Sequence, residues 1–331
     1  MSGALVAAVL ADPARAETLT PDQWNALIAA ARAEQLIGSV ATRLEGLRIP
    51  AAHLLAVARA SAEQGRVAAL WEAEAARRAL APLGVPIVLL KGTAFVAAGL
   101  DAGRGRAIGD LDILVPCEHL DAVEAALLAA GWEWVKPDPY DDAYYRRWMH
   151  ELPPLIHRER DRMIDVHHTI LPPTARPTPD AAALIADAVP LGNGLSVLCP
   201  EDMVVHAAAH LFADGDLQGG LRNLWDIDRL VREFGERDVG FVASLTERAA
   251  RHELSDAVAR ALRLARRIYS TPGGGDPVAS DALFARRLLA RDGWGRLRHK
   301  GTEFGFYIRS HWLRMPPAML ARHLWTKWRK K

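Results

Sequence analysis

The sequence predicts an α+β protein: a small mixed sheet in the middle of the chain, flanked by N-terminal and C-terminal helical regions. Three observations carry this reading. Residues 1–84 are Ala-rich, with apolar residues at helical spacing. Between 85 and 170, short apolar runs bounded by turn residues replace that spacing. From Pro200 onward the helical pattern returns. The expected units are therefore 1–84 (helical), 85–170 (α/β core) and 171–331 (helical, with a basic, Trp-rich tail).

The first unit opens on an apolar piece within MSGALVAAVLADPARA, which has no basic flank and reads as an amphipathic helix rather than a signal peptide. Thr20-Pro21-Asp22-Gln23 is a helix start: Thr caps, Pro takes the first position and Gln the capping-box position. Ile49-Pro50 breaks the chain, and a long helix is expected from Ala51 to Leu83, stopped by Gly84.

In the core, Pro86 to Leu90 fits a buried strand, and Lys91-Gly92-Thr93 breaks it and opens a small-residue helix, Ala94 to Leu100. A basic, Gly-rich loop follows, Gly103 to Gly109, and Asp110-Leu111-Asp112 runs straight into Ile113-Leu114-Val115. A helix from Glu118 to Ala130, a strand at Trp132 to Val135 and a turn-rich loop from Lys136 to Asp142 come next. Tyr144, Tyr145 and Trp148, beside Arg146 and Arg147, either stack on a base or sugar or pack a helix onto the core. Leu152 to His157 and Arg162 to Ile170 read as a strand pair joined by a charged turn, Arg158 to Asp161. The Pro-rich connection 171–200, around a short helix, is the expected domain boundary.

The chemistry lies in the acids. Side chains alternate faces along a strand, so Asp110 and Asp112 point to one side of an otherwise core-grade segment. Two such carboxylates are costly unless something neutralises them, and a divalent cation does so. The alternative is a strand end at the surface with both acids in water. Asp165, in Met163-Ile164-Asp165-Val166-His167-His168, is again an acid on one face of a short apolar strand, and His167 shares its side.

Leu89-Leu90-Lys91-Gly92, then Arg106, then Asp110-Leu111-Asp112-Ile113-Leu114-Val115 and the distant Asp165 together resemble the nucleotidyltransferase superfamily of the DNA polymerase β type. The match is nearer to the uncharacterised nucleotidyltransferase family, whose members carry LKG…R…DxDxLV. The resemblance extends to EDMVVHAAAH and LRNLWDIDRL downstream. It implies a polymerase-β-like core in which Asp110, Asp112 and Asp165 hold two Mg²⁺ ions, with Mn²⁺ as a substitute, and act as the catalytic acids. It further implies transfer of an NMP from an NTP to an unknown acceptor: a sugar or glycan intermediate, a peptide or a protein hydroxyl. Lys91, Gly92, Thr93 and Arg106 would then bind the nucleotide, with Gly92 opening the backbone to a phosphate and Thr93 standing where the wider superfamily has Ser. Arg106 would pair with Asp110 or a phosphate. The competing readings are an inactive nucleotide-binding or scaffold protein and an RNA-directed nucleotidyltransferase.

Other constellations give less. His206 and His210 share a helix face, but HAAAH lacks the Glu of HExxH and reads as helix packing. Asp226-Ile227-Asp228 is a helical DxD, hence a surface or a salt bridge to an Arg. GxGxxG and GxxxxGK[ST] are absent. A net charge of +1 gives no overall nucleic-acid signal. Cys117 and Cys199 make no disulfide framework, read as small buried hydrophobes, and fit a reducing cytoplasm. The last 46 residues differ: 13 Lys/Arg against Asp292 and Glu303, with Trp294, Trp312, Trp325, Trp328, Phe304, Phe306 and Tyr307. Such a tail suits an anionic membrane surface, which would place the protein at the membrane periphery, or a nucleic acid. The alternative is a terminal helix that packs its aromatics on the domain.

Overall fold

The computed structural model describes residues 2–136, 139–213 and 215–314, together with Trp325. It is a mixed α/β structure, mainly helical. The N-terminal region holds α1 (Ser2–Ala11), α2 (Pro21–Ala33), α3 (Ile37–Arg43) and α4 (Ala52–Leu80). The middle alternates β1 (Val88–Leu89), α5 (Lys91–Ala97), β2 (Leu111–Leu114), α6 (Leu120–Ala129), β3 (Trp132–Trp134), α7 (Pro139–Trp148), β4 (Leu155–His157) and β5 (Met163–His167). The remainder holds α8 (Ala181–Ala186), β6 (Val189–Pro190), β7 (Ser196–Val197), α9 (Pro200–Ala213), α10 (Gly220–Arg237), α11 (Phe241–Arg251), α12 (Ser255–Tyr269), α13 (Asp281–Leu288) and α14 (Lys300–Arg314).

Local chemistry explains the best-defined helix ends. The Thr20 hydroxyl accepts from the Gln23 backbone N–H while the Gln23 side chain accepts from the Thr20 N–H, which closes a capping box on α2. Gly84 ends the 3₁₀ turn after α4 with a left-handed φ of +64°. Against the amphipathic expectation, α1 has no charged residue and only Ala11 is exposed. Gly3 lets it press on the backbone of Leu289, where a Cβ would lie 2.6 Å from the carbonyl oxygen.

The strands form one mixed sheet in the order β3-β4-β5-β2-β1-β7-β6. β2 lies at its centre, fully buried, antiparallel to β1 and parallel to β5. The sheet does not stop at residue 170. Ser196 and Val197 of β7 pair in parallel with Val88 and Leu89 of β1, so the Pro-rich connection contributes two strands as well as its short helix. α7 begins at Pro139, inside the stretch expected as a loop. A contiguous apolar core extends from Val6 through Ile113 and Leu224 to Phe306, joining all three expected units.

Ion pairs hold helices on the sheet. The Arg146 guanidinium donates to both Glu124 oxygens at 2.9 Å, and Trp134 Nε1 donates to the same carboxylate, which docks α7 on α6 and β3. That use of Arg146 supports packing over base stacking for α7. In the β4–β5 turn, Arg160 donates to both Glu72 oxygens of α4 and lies between the rings of Trp71 and Trp132. Cys117 is exposed, against expectation, because it sits in the 3₁₀ turn before α6. Cys199 is partly buried, and burial and then the adjacent Asp202 push its thiol up to about 12.

In the C-terminal region, Phe306 is buried against Phe284, while Trp294, Phe304 and Trp312 are exposed. Among the described residues the tail thus packs Phe306 and presents its other aromatics, Tyr307 included. Trp325 is exposed, and Trp328 lies outside the described residues. Among the described residues, no helix is long and apolar enough to cross a membrane.

Candidate active site

The site is built at one end of the β2–β5 pair. The parallel register sets Asp112 directly opposite Asp165. Successive residues alternate faces, so both carboxylates emerge on the same side of the sheet. Asp110, exposed and just ahead of β2, completes the group. Asp110, Asp112 and Asp165 each bring a carboxylate oxygen within 4.8 Å of the other two. The structure thus brings together three acids separated by up to 55 residues.

Their charges are poorly balanced. Asp112 is buried, which alone would raise its pKa, yet Lys91 and His167 hold it well below the usual carboxylate range. Lys91 Nζ donates to Asp112 Oδ1 at 2.6 Å, and His167 Nε2 lies 3.0 Å from the same oxygen. Among the described residues no cation is hydrogen-bonded to Asp165: burial first, then Asp112 and Asp110, push it up to about 7 against the pull of Lys91. Three clustered carboxylates facing one lysine form a site with excess negative charge, and oxygen donors of this kind suit Mg²⁺ or Mn²⁺.

The Lys91-Gly92-Thr93 turn takes a different form from the expected phosphate cradle. Lys91 has a φ of +50°, uncommon for a residue with a side chain, and its ammonium lies on Asp112. Gly92 is buried under Arg106: a Cβ there would overlap Nη1 and lie 2.9 Å from Cζ and 3.1 Å from Ile108. The glycine therefore admits a guanidinium. Thr93 is buried, and its hydroxyl makes no hydrogen bond among the described residues. Arg106 pairs with neither Asp110 nor open solvent. Its Nε donates to Asp226 Oδ2 at 3.0 Å, and both groups are buried.

That pair explains the helical DxD of α10. Asp226 meets Arg106 at the cleft, while Asp228, on another face, is buried among Arg229, Arg232 and the Thr271 hydroxyl. Neither aspartate is at the surface.

A cleft adjoins the acids, lined by Lys91, Arg106, His206, His210, Arg222 and Asn223, among others. The two histidines of α9 thus face the site. Burial first, then Lys91 and His210, holds His206 well below its ordinary pKa, so it is neutral at pH 7. Arg222 donates to Gln35 Oε1 at 2.6 Å, linking the cleft wall to the N-terminal region. Arg222 and Asn223 were missed from sequence because only packing brings α10 to this end of the sheet. Glu151 was missed too. It sits opposite His167 in a single antiparallel bridge, with its carboxylate 3.4 Å from His167 Nδ1. One residue before Leu152-Pro153-Pro154, it carries no strand periodicity that would reveal the pairing.

Comparison with known proteins adds one result. A family model described as uncharacterised nucleotidyltransferase matches residues 20–270, a span that holds β1 to β7 and every residue of the acid cluster and cleft. No curated protein matches the chain.

Proposed function

The chain belongs to the uncharacterised nucleotidyltransferase family, and from that premise we propose that it is a metal-dependent nucleotidyltransferase of the polymerase β type, moving an NMP from an NTP to a hydroxyl acceptor. The observation that carries this reading is the convergence of Asp110, Asp112 and Asp165. Divalent cations held by these acids, Mg²⁺ or Mn²⁺, would offset triphosphate charge and lower the pKa of the acceptor hydroxyl. The chain's own groups supply the rest. Asp165, set beside Asp112 by the β2–β5 register, would accept the acceptor's proton. Lys91 and His167 fix the Asp112 carboxylate and so limit its reorganisation during the reaction. Lys91 and Arg222 would supply positive charge toward the nucleotide, with Arg106 held beside them by Asp226. The acceptor is a sugar or glycan intermediate, a peptide or a protein hydroxyl.

Calorimetry with ATP, GTP, CTP and UTP tests this reading. One NTP should bind in the presence of Mg²⁺, and Asp165→Asn should weaken it by roughly tenfold or more, as expected for loss of a metal ligand. An NTP that binds equally well without metal, and equally well to Asp165→Asn, would support the nucleotide-binding scaffold instead. Binding of RNA that falls steeply with salt would favour the RNA-directed reading.

A further inference from the structure

We propose that His150, Glu151 and His167 bind a single transition-metal ion of the Zn²⁺ class, at a site separate from the three aspartates. Each of the three offers a ligand atom within 4.8 Å of the other two. The backbone fixes the frame. The His168 N–H donates to the His150 carbonyl at 2.9 Å, and the Leu152 N–H donates to the Val166 carbonyl at 2.9 Å. This short antiparallel ladder sets Glu151 across from His167.

The orientation of His167 is the telling feature. The ring is 1% exposed, and its Nε2 faces the Asp112 carboxylate at 3.0 Å. A carboxylate only accepts, so the N–H sits on Nε2 and Nδ1 presents a lone pair. Nδ1 is buried and makes no hydrogen bond. It points at Glu151 Oε2, 3.4 Å away, so two electron-rich atoms face each other. A cation between them resolves that conflict. The 3.4 Å gap matches the edge of a tetrahedron with bonds of about 2.1 Å, the length typical of Zn²⁺ to nitrogen or oxygen. His150 Nε2 lies 3.9 Å from the same Glu151 oxygen. A histidine that gives its second nitrogen's hydrogen to a carboxylate is the usual support of a metal-bound imidazole.

The donor set selects the metal. Two imidazoles and one carboxylate suit Zn²⁺, Co²⁺ or Ni²⁺, whereas Mg²⁺ favours oxygen donors. The side chains of His150 and Glu151 are 18% and 19% exposed, which gives the ion a path from solvent. Three protein ligands leave a fourth position open. An ion here would brace His167, and through it Asp112, from behind.

The test uses the full-length protein, stripped with a chelator and titrated with Zn²⁺ by calorimetry and with Co²⁺ by visible absorption. Wild type should bind one ion with the intense ligand-field bands of four-coordinate Co²⁺, apart from any ion taken up by the three aspartates. His150→Ala and Glu151→Gln should each lose roughly a hundredfold in affinity or more, whereas Asp165→Asn should change it by less than about threefold. Glu151→Gln keeps the side chain's shape, so it serves if His150→Ala does not fold. Three results would overturn the proposal: no Zn²⁺ binding by wild type, binding indifferent to both His150→Ala and Glu151→Gln, or binding that follows Asp165 instead. Nitrogen NMR of a wild type that binds no metal, with protons on both His167 nitrogens, would identify a proton as the occupant.

Discussion

At the scale of single residues, Gly92 and Asp202 show how strongly the site's surroundings are constrained. A methyl group at position 92 would meet the Arg106 guanidinium, which cannot swing aside without breaking its buried pair with Asp226. Gly92→Ala should therefore cost about 3 kcal/mol, the scale of a broken buried ion pair, measured by urea unfolding. Asp202, at the start of α9, accepts from Arg248 Nε at 2.7 Å and lies 3.0 Å from His252 Nε2. Burial would raise its pKa, but Arg248 and His252 hold it at about 2. The folded value lies below the unfolded one, so its stabilisation is complete above about pH 4 and is lost as pH falls toward 2. Asp202→Asn should cost about 2 kcal/mol at pH 7 and flatten the acid limb of the stability profile. What sequence could say about these residues followed from period. Asp110 and Asp112 could be marked because strand alternation fixes which side chains share a face, and Asp165 through the resemblance to the nucleotidyltransferase family. The partner of Arg106 could not, because Asp226 is 120 residues away in a helix whose position depends on packing.

At the scale of elements, the β4–β5 turn is clamped to α4 by one arginine. Arg160 makes a bidentate pair with Glu72 and stacks between Trp71 and Trp132 at 4.9 and 4.8 Å. Lysine supplies charge without the planar fork or the stacking face, so Arg160→Lys should cost about 1–2 kcal/mol in urea unfolding. Along α14, Phe304, Ile308 and Trp312 recur every four residues and all are exposed. This stripe, next to Arg298 and Lys300, makes the membrane-surface expectation testable. Vesicles containing anionic lipid should bind the protein in a salt-sensitive way, and Trp312→Ala should weaken that binding. Equal binding to neutral vesicles, or no effect of the substitution, would count against it. Elements with strong local signals, such as the capping box of α2 and the glycine stop after α4, were readable from sequence. β6 and β7 were not: strands of two residues have no alternation to detect, and prolines surround them.

At the scale of the whole molecule, one apolar core joins the N-terminal helices, the sheet and the C-terminal helices. Far-UV circular dichroism and tryptophan fluorescence should therefore report a single, coincident urea transition. A fragment of residues 85–170 should not fold, because it lacks β7 on one side of β1 and the α9–α10 wall of the cleft. The same architecture brings three distant acids to one point, and the functional account depends on that point binding divalent metal. Mn²⁺ uptake, followed by loss of the free-ion electron paramagnetic resonance signal in the presence of an NTP, measures this directly. Wild type and His150→Ala should both remove Mn²⁺ from solution, while Asp165→Asn and Asp112→Asn should not. Undiminished uptake by both aspartate variants would contradict a metal-dependent site at these acids.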